Sequence, residues 1–582
     1  MNNQPHQQPV GPGGAEYLAL AAIALTGLNF AAAWVSAFMF GAHRFDGTVG
    51  DSLAALIRLP RNMSDPRLAW TGPASNQLPG PWPYWGTATV MAVLVVVAIE
   101  RVMIWRQGRD RGVDQRVRFG VSTQARQAKT ADLASLIVRR PEPGRLLVAR
   151  HHRKLLATET NRMPASNRRE RRALRRRGDR GAVIHVGPSR CGKTTSVIAG
   201  ALEWEGPAIL SSVKSDLLDA TLARRAEMGE VRIFDPTGST GRGTARWSPL
   251  RDAAHPAGAQ RAAAALISAT PKDGVSDAGF WHIQAEAYLT GLLLTAALQG
   301  RTMSDVASWV LKGDQPTDGN PGQIEPLLRA LSADPDPARR AAALRANDLL
   351  RGVWGSDSKI RDSVYATTRN LMRAWIDPTV GDACNACEID LEWLCSGNNT
   401  LYICAPLVDQ DRLAPVLGGL ISDLVNQAYD RYLRTNELLD PALLLVLDEA
   451  GNTPLHQLPQ WASTIAGLGI QLVTVWQSKA QIDENYGRQA DTILTNHLTK
   501  LFYAGTSDQS TVDFASRILG DEFVAALLDE DRGSHRNGDR GRSVTPVRLG
   551  PPHMFRQMEP GTAVLIHGTL PPAHVRTLAP AR

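Results

Sequence analysis

Eight consecutive residues, Gly187-Pro188-Ser189-Arg190-Cys191-Gly192-Lys193-Thr194, follow the apolar run AVIHV and precede a helix-compatible stretch that opens with Thr195. A glycine-bounded loop between strand and helix is a phosphate cradle. Its backbone N–H groups wrap the phosphates, the helix N-terminus favours negative charge, Lys193 reaches the outer phosphates, and Thr194 can hold Mg²⁺. Gly187 to Thr195 are therefore the candidate nucleotide-binding residues, with ATP and Mg²⁺ as the expected ligands. The run Leu443-Leu-Leu-Val-Leu-Asp448-Glu449 supplies the second element. Five apolar residues predict a buried strand, and paired carboxylates at its end cost too much unless they serve a cation or a water. Asp448 is expected to complete the Mg²⁺ shell and Glu449 to polarise the attacking water. Gln477 ends another apolar run, Val473-Thr-Val-Trp476, where its amide can sense a γ-phosphate. Lys214 follows AILSSV, either as a solvated strand end or as a functional group; only nine of the 64 basic residues are Lys, which shifts it towards function.

Other constellations are weaker. Cys384 and Cys387 form a CxxC, but no second pair completes a tetrahedral zinc site. Cys191 reads as a small loop residue rather than a redox group. Five Cys in 582 residues exclude a disulfide scaffold and suit a reducing cytosol.

These groups must be positioned by an α/β body. Strands are predicted at 182–186, 208–212, 231–234, 400–404, 443–447, 472–476, 500–504 and 563–567, alternating with helical stretches as in a parallel sheet. Between the third and fourth, 255–375 is rich in Ala, Leu and Arg at helical spacing and reads as an inserted all-helical domain. The motor is then expected at 181–254 and 376–582, with 529–543 a mobile loop. Ahead of it, 1–106 reads as a membrane anchor. Two apolar runs, about 17–40 and 82–99, are each long enough to cross a bilayer as a helix, and Trp82, Tyr84 and Trp85 form an interfacial belt. Arg101, Arg106, Arg109, Arg111, Arg116 and Arg118 follow the second run, so both termini are expected in the cytoplasm. Residues 107–180 form a basic juxtamembrane segment: 101–180 hold 23 Arg or Lys against 7 Asp or Glu, a net +16 that exceeds the +7 of the whole chain, so the basic character is local. The run 167–180 is the densest part, and it suits either anionic lipid or the phosphates of a nucleic acid. With 43% hydrophobic and 21% charged residues, fibrous and disordered classes are excluded.

Taken in order, the two spans, GPSRCGKT, FDPTG with ARWSPL, the Phe280-Trp281 pair, LYICAPL, LDEAGN, WQSKAQ, Tyr486-Gly487, Asn496 and the closing LPPAHVR resemble the TraG-like coupling proteins of type IV secretion, the membrane ATPases of bacterial conjugation. The resemblance implies a RecA/FtsK-like P-loop NTPase motor in a homo-hexameric ring, a multi-pass protein of the bacterial inner membrane, and a helical insert that helps choose cargo. Its implied partners are a relaxase with single-stranded DNA and the secretion channel. Lys193, Thr194, Asp448, Glu449 and Gln477 match the family's working residues. Ser212 stands where an Asp is common, Ala450 where a Phe is usual, and Ala466-Gly-Leu-Gly469 lacks the usual arginines, leaving Arg488 and Arg412 as candidates for a group acting across subunits. An FtsK-like double-stranded DNA pump would carry a winged-helix domain after His567, where only 15 residues remain. A coupling ATPase for protein effectors alone would share every motif. An ABC-type ATPase would need an LSGGQ-like signature, which is lacking, and a non-enzymatic scaffold would not need the complete P-loop.

Overall fold

The computed structural model describes residues 14–109, 117–119, 121–122, 124–159, 180–269, 278–452, 455–525 and 544–580. The chain separates into two units, Met1–Thr123 and Gln124–Arg582. Most of the basic run, 167–179, and the expected loop at 529–543 lie outside the described residues.

In the first unit, the apolar runs form the helices Gly14–Phe40 and Pro81–Arg109. Within them, Ala22–Phe40 and Pro81–Arg101 are long and apolar enough to cross a membrane. Ile23, Leu25, Phe38, Val93, Leu94 and Val96 point outward, as side chains solvated by lipid would. The intervening residues fold into short helices, the longest Val49–Arg58. Its N-terminus is fixed by a capping box: Thr48 Oγ1 accepts from the Asp51 N–H, and the Asp51 carboxylate accepts from the Thr48 N–H. A buried polar cluster ties these parts together. Tyr84 donates its hydroxyl to Asn29 Oδ1 at 2.8 Å, Asn29 Nδ2 donates to Ser52 Oγ at 3.0 Å, and Ser52 donates to the Thr26 carbonyl at 2.9 Å. A short ribbon pairs β1 (Val117–Arg118) with β2 (Val121–Ser122).

In the second unit the strands are β3 (Ile137–Val138), β4 (Leu147–His151), β5 (Lys154–Ala157), β6 (Val183–Val186), β7 (Ala208–Ser212), β8 (Val231–Phe234), β9 (Thr400–Cys404), β10 (Leu443–Leu447), β11 (Ile470–Trp476), β12 (Thr499–Tyr503), β13 (Asp521–Ala525), β14 (Val544–Arg548), β15 (Thr562–His567) and β16 (Ala573–Arg576). Twelve of them form one sheet in the order β3-β5-β4-β16-β15-β12-β6-β11-β10-β7-β9-β8, while β13 and β14 pair separately. From β12 to β8 the neighbours run parallel. This half matches the predicted strands, because strands covered on both faces read as unbroken apolar runs. Every residue of β6, β9, β10 and β11 is buried.

From β12 through β15, β16, β4, β5 and β3 the pairing is antiparallel. Sequence patterning did not place β3, β4, β5 or β16 as strands, because they are short and broken by Arg, His and Lys. The β4–β5 turn sets His152 at φ 52, without the Gly or Asn that signals such a turn. Of the basic run 167–180, Arg180 lies among the described residues. Arg180 is buried, donating to the Gly469 carbonyl at 3.1 Å and the Gly144 carbonyl at 3.0 Å, and burial pushes its pKa down to about 10. It clasps the fold through backbone carbonyls.

Between β8 and β9 the described residues contain helices and no strand, from Pro256–Ser268 to Leu391–Cys395. The helical segment shares one hydrophobic core with a face of the sheet, where Leu266, Leu292 and Leu350 join Leu420, Leu445 and Leu472.

Candidate functional site

The site follows from strand order. β11 lies between β6 and β10, so the loop leaving β6, the acidic pair after β10 and Gln477 after β11 emerge side by side at the C-terminal edge of the parallel strands. Ligands of open α/β sheets bind along this edge.

Gly187 takes its place because a side chain there would press on Tyr503, with a Cβ only 2.7 Å from the tyrosine Cβ. Gly192 has φ 95, the left-handed region that other residues enter at a cost, and opens the helix Lys193–Leu202 without a side-chain cap. The first N–H groups of that helix are therefore available to an anion. Arg190 also has a positive φ, 65. Gly187 and Lys193 are buried, Pro188, Cys191, Gly192 and Thr194 are half-buried, and Ser189, Arg190 and Thr195 are exposed. Lys193 Nζ turns back into its own loop, donating to the carbonyls of Gly187 at 2.6 Å and Pro188 at 2.7 Å. Burial pulls its pKa down, and the nearby Cys191, Asp448 and Glu449 oppose that shift. Burial raises the Cys191 thiol's pKa, which keeps it protonated.

Across from the loop, Asp448 is 7% exposed. It accepts from Ser212 Oγ at 3.2 Å and lies 3.4 and 3.5 Å from Thr194 Oγ1. Burial, reinforced by the neighbouring Glu449 charge, outweighs these bonds and pushes its pKa up to about 6. A buried carboxylate flanked by two hydroxyls and short of positive charge fits a hard divalent cation. Ser212, which stands where an acid is common, thus acts as a neutral donor to Asp448. Glu449 has φ 58, a strained backbone for a non-glycine residue of the kind that gathers at functional sites. Its Oε2 accepts from Asn452 Nδ2 at 2.7 Å, and Lys214 Nζ lies 3.6 Å from Oε1. Lys214 is largely exposed, so this ion pair contributes little stability.

Gln477 is exposed, and its backbone N–H donates to Gln481 Oε1 at 3.2 Å. Of the two arginines considered for a role across subunits, Arg412 is engaged by Asp377 at 3.3 Å and Asp409 at 3.0 Å. Arg488 is exposed in the short turn Gly487–Gln489. Cys384 is buried with its thiol pushed up to about 12, and no group of metal-ligating side chains occurs among the described residues. Asn452 and Gln481 went unassigned in the sequence reading, although each lies inside a motif it singled out.

A phosphate loop, a strand-end acidic pair and an intervening strand ending in Gln477 define a P-loop NTPase fold. The family model described as "Type IV secretory system Conjugative DNA transfer" matches residues 147–578, and the chain belongs to that family. Protein VirD4 of Rhizobium radiobacter is 24% identical over 413 residues, which cover 69% of this chain and 57% of that protein. VirD4 of Agrobacterium fabrum is 26% identical over 357 residues, 59% of this chain and 50% of that protein. The chain therefore spans little more than half the length of the curated relatives it matches. Among solved structures, the plasmid coupling protein TrwB in complex with ADP and Mg²⁺ superimposes with a TM-score of 0.52 at 18% identity, covering 69% of this chain and 86% of that one. TrwB in complex with the GTP analogue GDPNP gives 0.51 at 18% identity, covering 68% and 85%. At that identity the likeness establishes the fold alone.

Proposed function

We propose that this chain is a membrane-anchored coupling ATPase that recruits a relaxase with its single-stranded DNA to a type IV secretion channel and drives DNA transfer in conjugation. The observation that carries this reading is the convergence of Lys193, Thr194, Asp448, Glu449 and Gln477 at one sheet edge in a member of the conjugative transfer family.

In this reading the Gly187 to Thr195 loop binds the ATP phosphates, and Lys193 exchanges its carbonyl partners for phosphate oxygens. Thr194 and Asp448 would hold Mg²⁺, which would neutralise charge on the ATP phosphates. Glu449 takes a proton from the attacking water as the new O–P bond forms and the bond to ADP breaks, and Gln477 reports the γ-phosphate. Six copies form the ring, and Arg488 is the better candidate for an arginine acting across subunits, since Arg412 is already paired. The helices at about 17–40 and 82–99 anchor residues 1–106 in the inner membrane with both termini cytoplasmic. Residues 107–180 present basic charge, and 255–375 serve cargo choice. VirD4 homology supports the secretion assignment.

The test compares cells carrying wild-type protein or Glu449→Gln, scoring mobilisation of a plasmid and export of a reporter protein. Loss of plasmid transfer in the variant supports the reading. Intact transfer with loss of protein export alone would assign the motor to effectors.

A further inference from the structure

Two motifs meet through side chains that the mechanism above leaves idle. From the helix Lys479–Tyr486, which leaves β11 directly after Gln477 and Ser478, Gln481 and Asn485 reach the loop that follows the acidic pair. Gln481 Nε2 donates to Asn452 Oδ1 at 3.4 Å, and Asn485 Nδ2 donates to the Gly451 carbonyl at 2.8 Å. Tyr486 adds its hydroxyl, which donates to the Leu455 carbonyl at 3.0 Å and accepts from the Leu455 N–H at 3.1 Å. A Cβ at Gly451 would lie 1.9 Å from Gln481 Cδ, so a side chain there would displace the Gln481 amide. Ser478 Oγ caps the helix by accepting from the Gln481 N–H, so the root of the Gln481 side chain is fixed as well.

The hydrogen bonds run in one direction. Glu449, when ionised, can only accept, so Asn452 must present its NH₂ to Oε2, as observed at 2.7 Å. With its NH₂ on Glu449, Asn452 turns its carbonyl to Gln481, which answers with its own NH₂. Gln481 is left with Oε1, and that oxygen accepts from the Gln477 N–H at 3.2 Å. Each amide is oriented by the one before it, from the carboxylate back to the strand end.

We propose that Asn452 and Gln481 are positioning residues that link Gln477 to Glu449, so that the response of the β11 end to the γ-phosphate sets the orientation of the general base. This rests on the roles given to Glu449 and Gln477 above. The two amides act by holding one carboxylate oxygen, while Lys214 Nζ lies 3.6 Å from the other, and by moving the carboxylate when Gln477 moves.

The polarity makes the idea testable by a near-isosteric change. Gln481→Glu keeps the acceptor for the Gln477 N–H but loses the donor to Asn452, which then turns its carbonyl towards Glu449. The full-length protein in detergent is measured for kcat, KM and nucleotide affinity, with thermal melting as the check on folding. Asn452→Ala and Gln481→Glu are each expected to lower kcat roughly tenfold, the effect of one lost hydrogen bond to a charged group, at unchanged nucleotide affinity. The double variant is expected to be no slower than the worse single one, because both changes break one chain. Gln481→Met, which cannot turn Asn452 over, should cost less than Gln481→Glu. Additive losses, or wild-type kcat in both single variants, would overturn the link. Glu449→Gln and Gln477→Ala run alongside: if they abolish turnover while the link variants keep the wild-type kcat, only the link falls, and if they leave turnover intact, the reading of the site falls with it.

Discussion

The two units of this chain each hold a buried polar cluster, and the clusters are built on opposite rules. Around Asn29 every partner is neutral and matched: Tyr84 and Ser52 satisfy the amide, Thr26 accepts from Ser52, and Trp70 Nε1 lies 3.4 Å from the Tyr84 hydroxyl. Such a cluster fixes how helices meet and asks nothing of solvent. Around Asp448 the bonds are long, the carboxylate is buried, and Lys193 spends its donors on carbonyls instead of on the acid. The charge is left under-compensated, which is costly in the resting protein and useful only when a cation and phosphates arrive. A satisfied cluster builds structure, whereas a strained and under-paired one marks chemistry.

The sharpest way to break this contrast is at Lys193. Lys193→Ala removes the buried cation of the phosphate loop and is expected to lower ATP turnover by roughly a thousandfold or more, as loss of a group stabilising transition-state charge does. Membrane insertion should be unchanged. Turnover near the wild-type rate, measured as phosphate release, would show that the loop is not the site.

Asp448→Asn tests the uncompensated charge itself. Because the folded pKa lies near 6, above the ordinary 3.8, the folded protein holds a proton between about pH 4 and 6 that the unfolded chain has released. Stability from this group is therefore gained as pH falls through 6, and its penalty is complete above that pH. In EDTA at pH 7.5, the Asn variant should be more stable by on the order of 2 kcal/mol, read as a raised Tm, and the difference should vanish near pH 4. Wild type should also gain stability from Mg²⁺ with ATP, and the variant should not. A variant that melts lower than wild type at pH 7.5 would contradict the picture of a carboxylate waiting for its cation.

A smaller effect is expected in the satisfied cluster. Tyr84→Phe leaves Asn29 Oδ1 without its donor and should cost about 1–2 kcal/mol, measured by denaturant titration of the detergent-solubilised chain. Nucleotide affinity should not change. No loss of stability would mean that the cluster is not the matched network described here.

How much of this was legible in the sequence follows the same division. LLLVL and VTVW announce themselves as buried parallel strands because both faces are covered, and the phosphate loop and acidic pair are readable because their chemistry admits few substitutes. β4 and β5 hide because Arg150, His151, Arg153 and Lys154 interrupt the apolar pattern at a turn without the usual residues. Arg180 hides at the end of a run of arginines, and nothing in the sequence signals its burial. Asn452 and Gln481 carry no signal alone, since an amide's role depends on the partner it faces, and their partners lie 3 and 29 residues away. Ser212, noticed only as a departure, becomes intelligible once its hydroxyl is seen on Asp448.

In the function proposed above, the edge bearing Lys193, Asp448 and Glu449 hydrolyses ATP in the service of DNA transfer. The most direct measurement is ATP hydrolysis by the full-length protein in lipid nanodiscs, with Mg²⁺, in the presence of single-stranded DNA, duplex DNA or neither. The account predicts Mg²⁺-dependent turnover that single-stranded DNA stimulates more than duplex and that Lys193→Ala abolishes. Turnover indifferent to DNA, or stimulated by duplex alone, would contradict it.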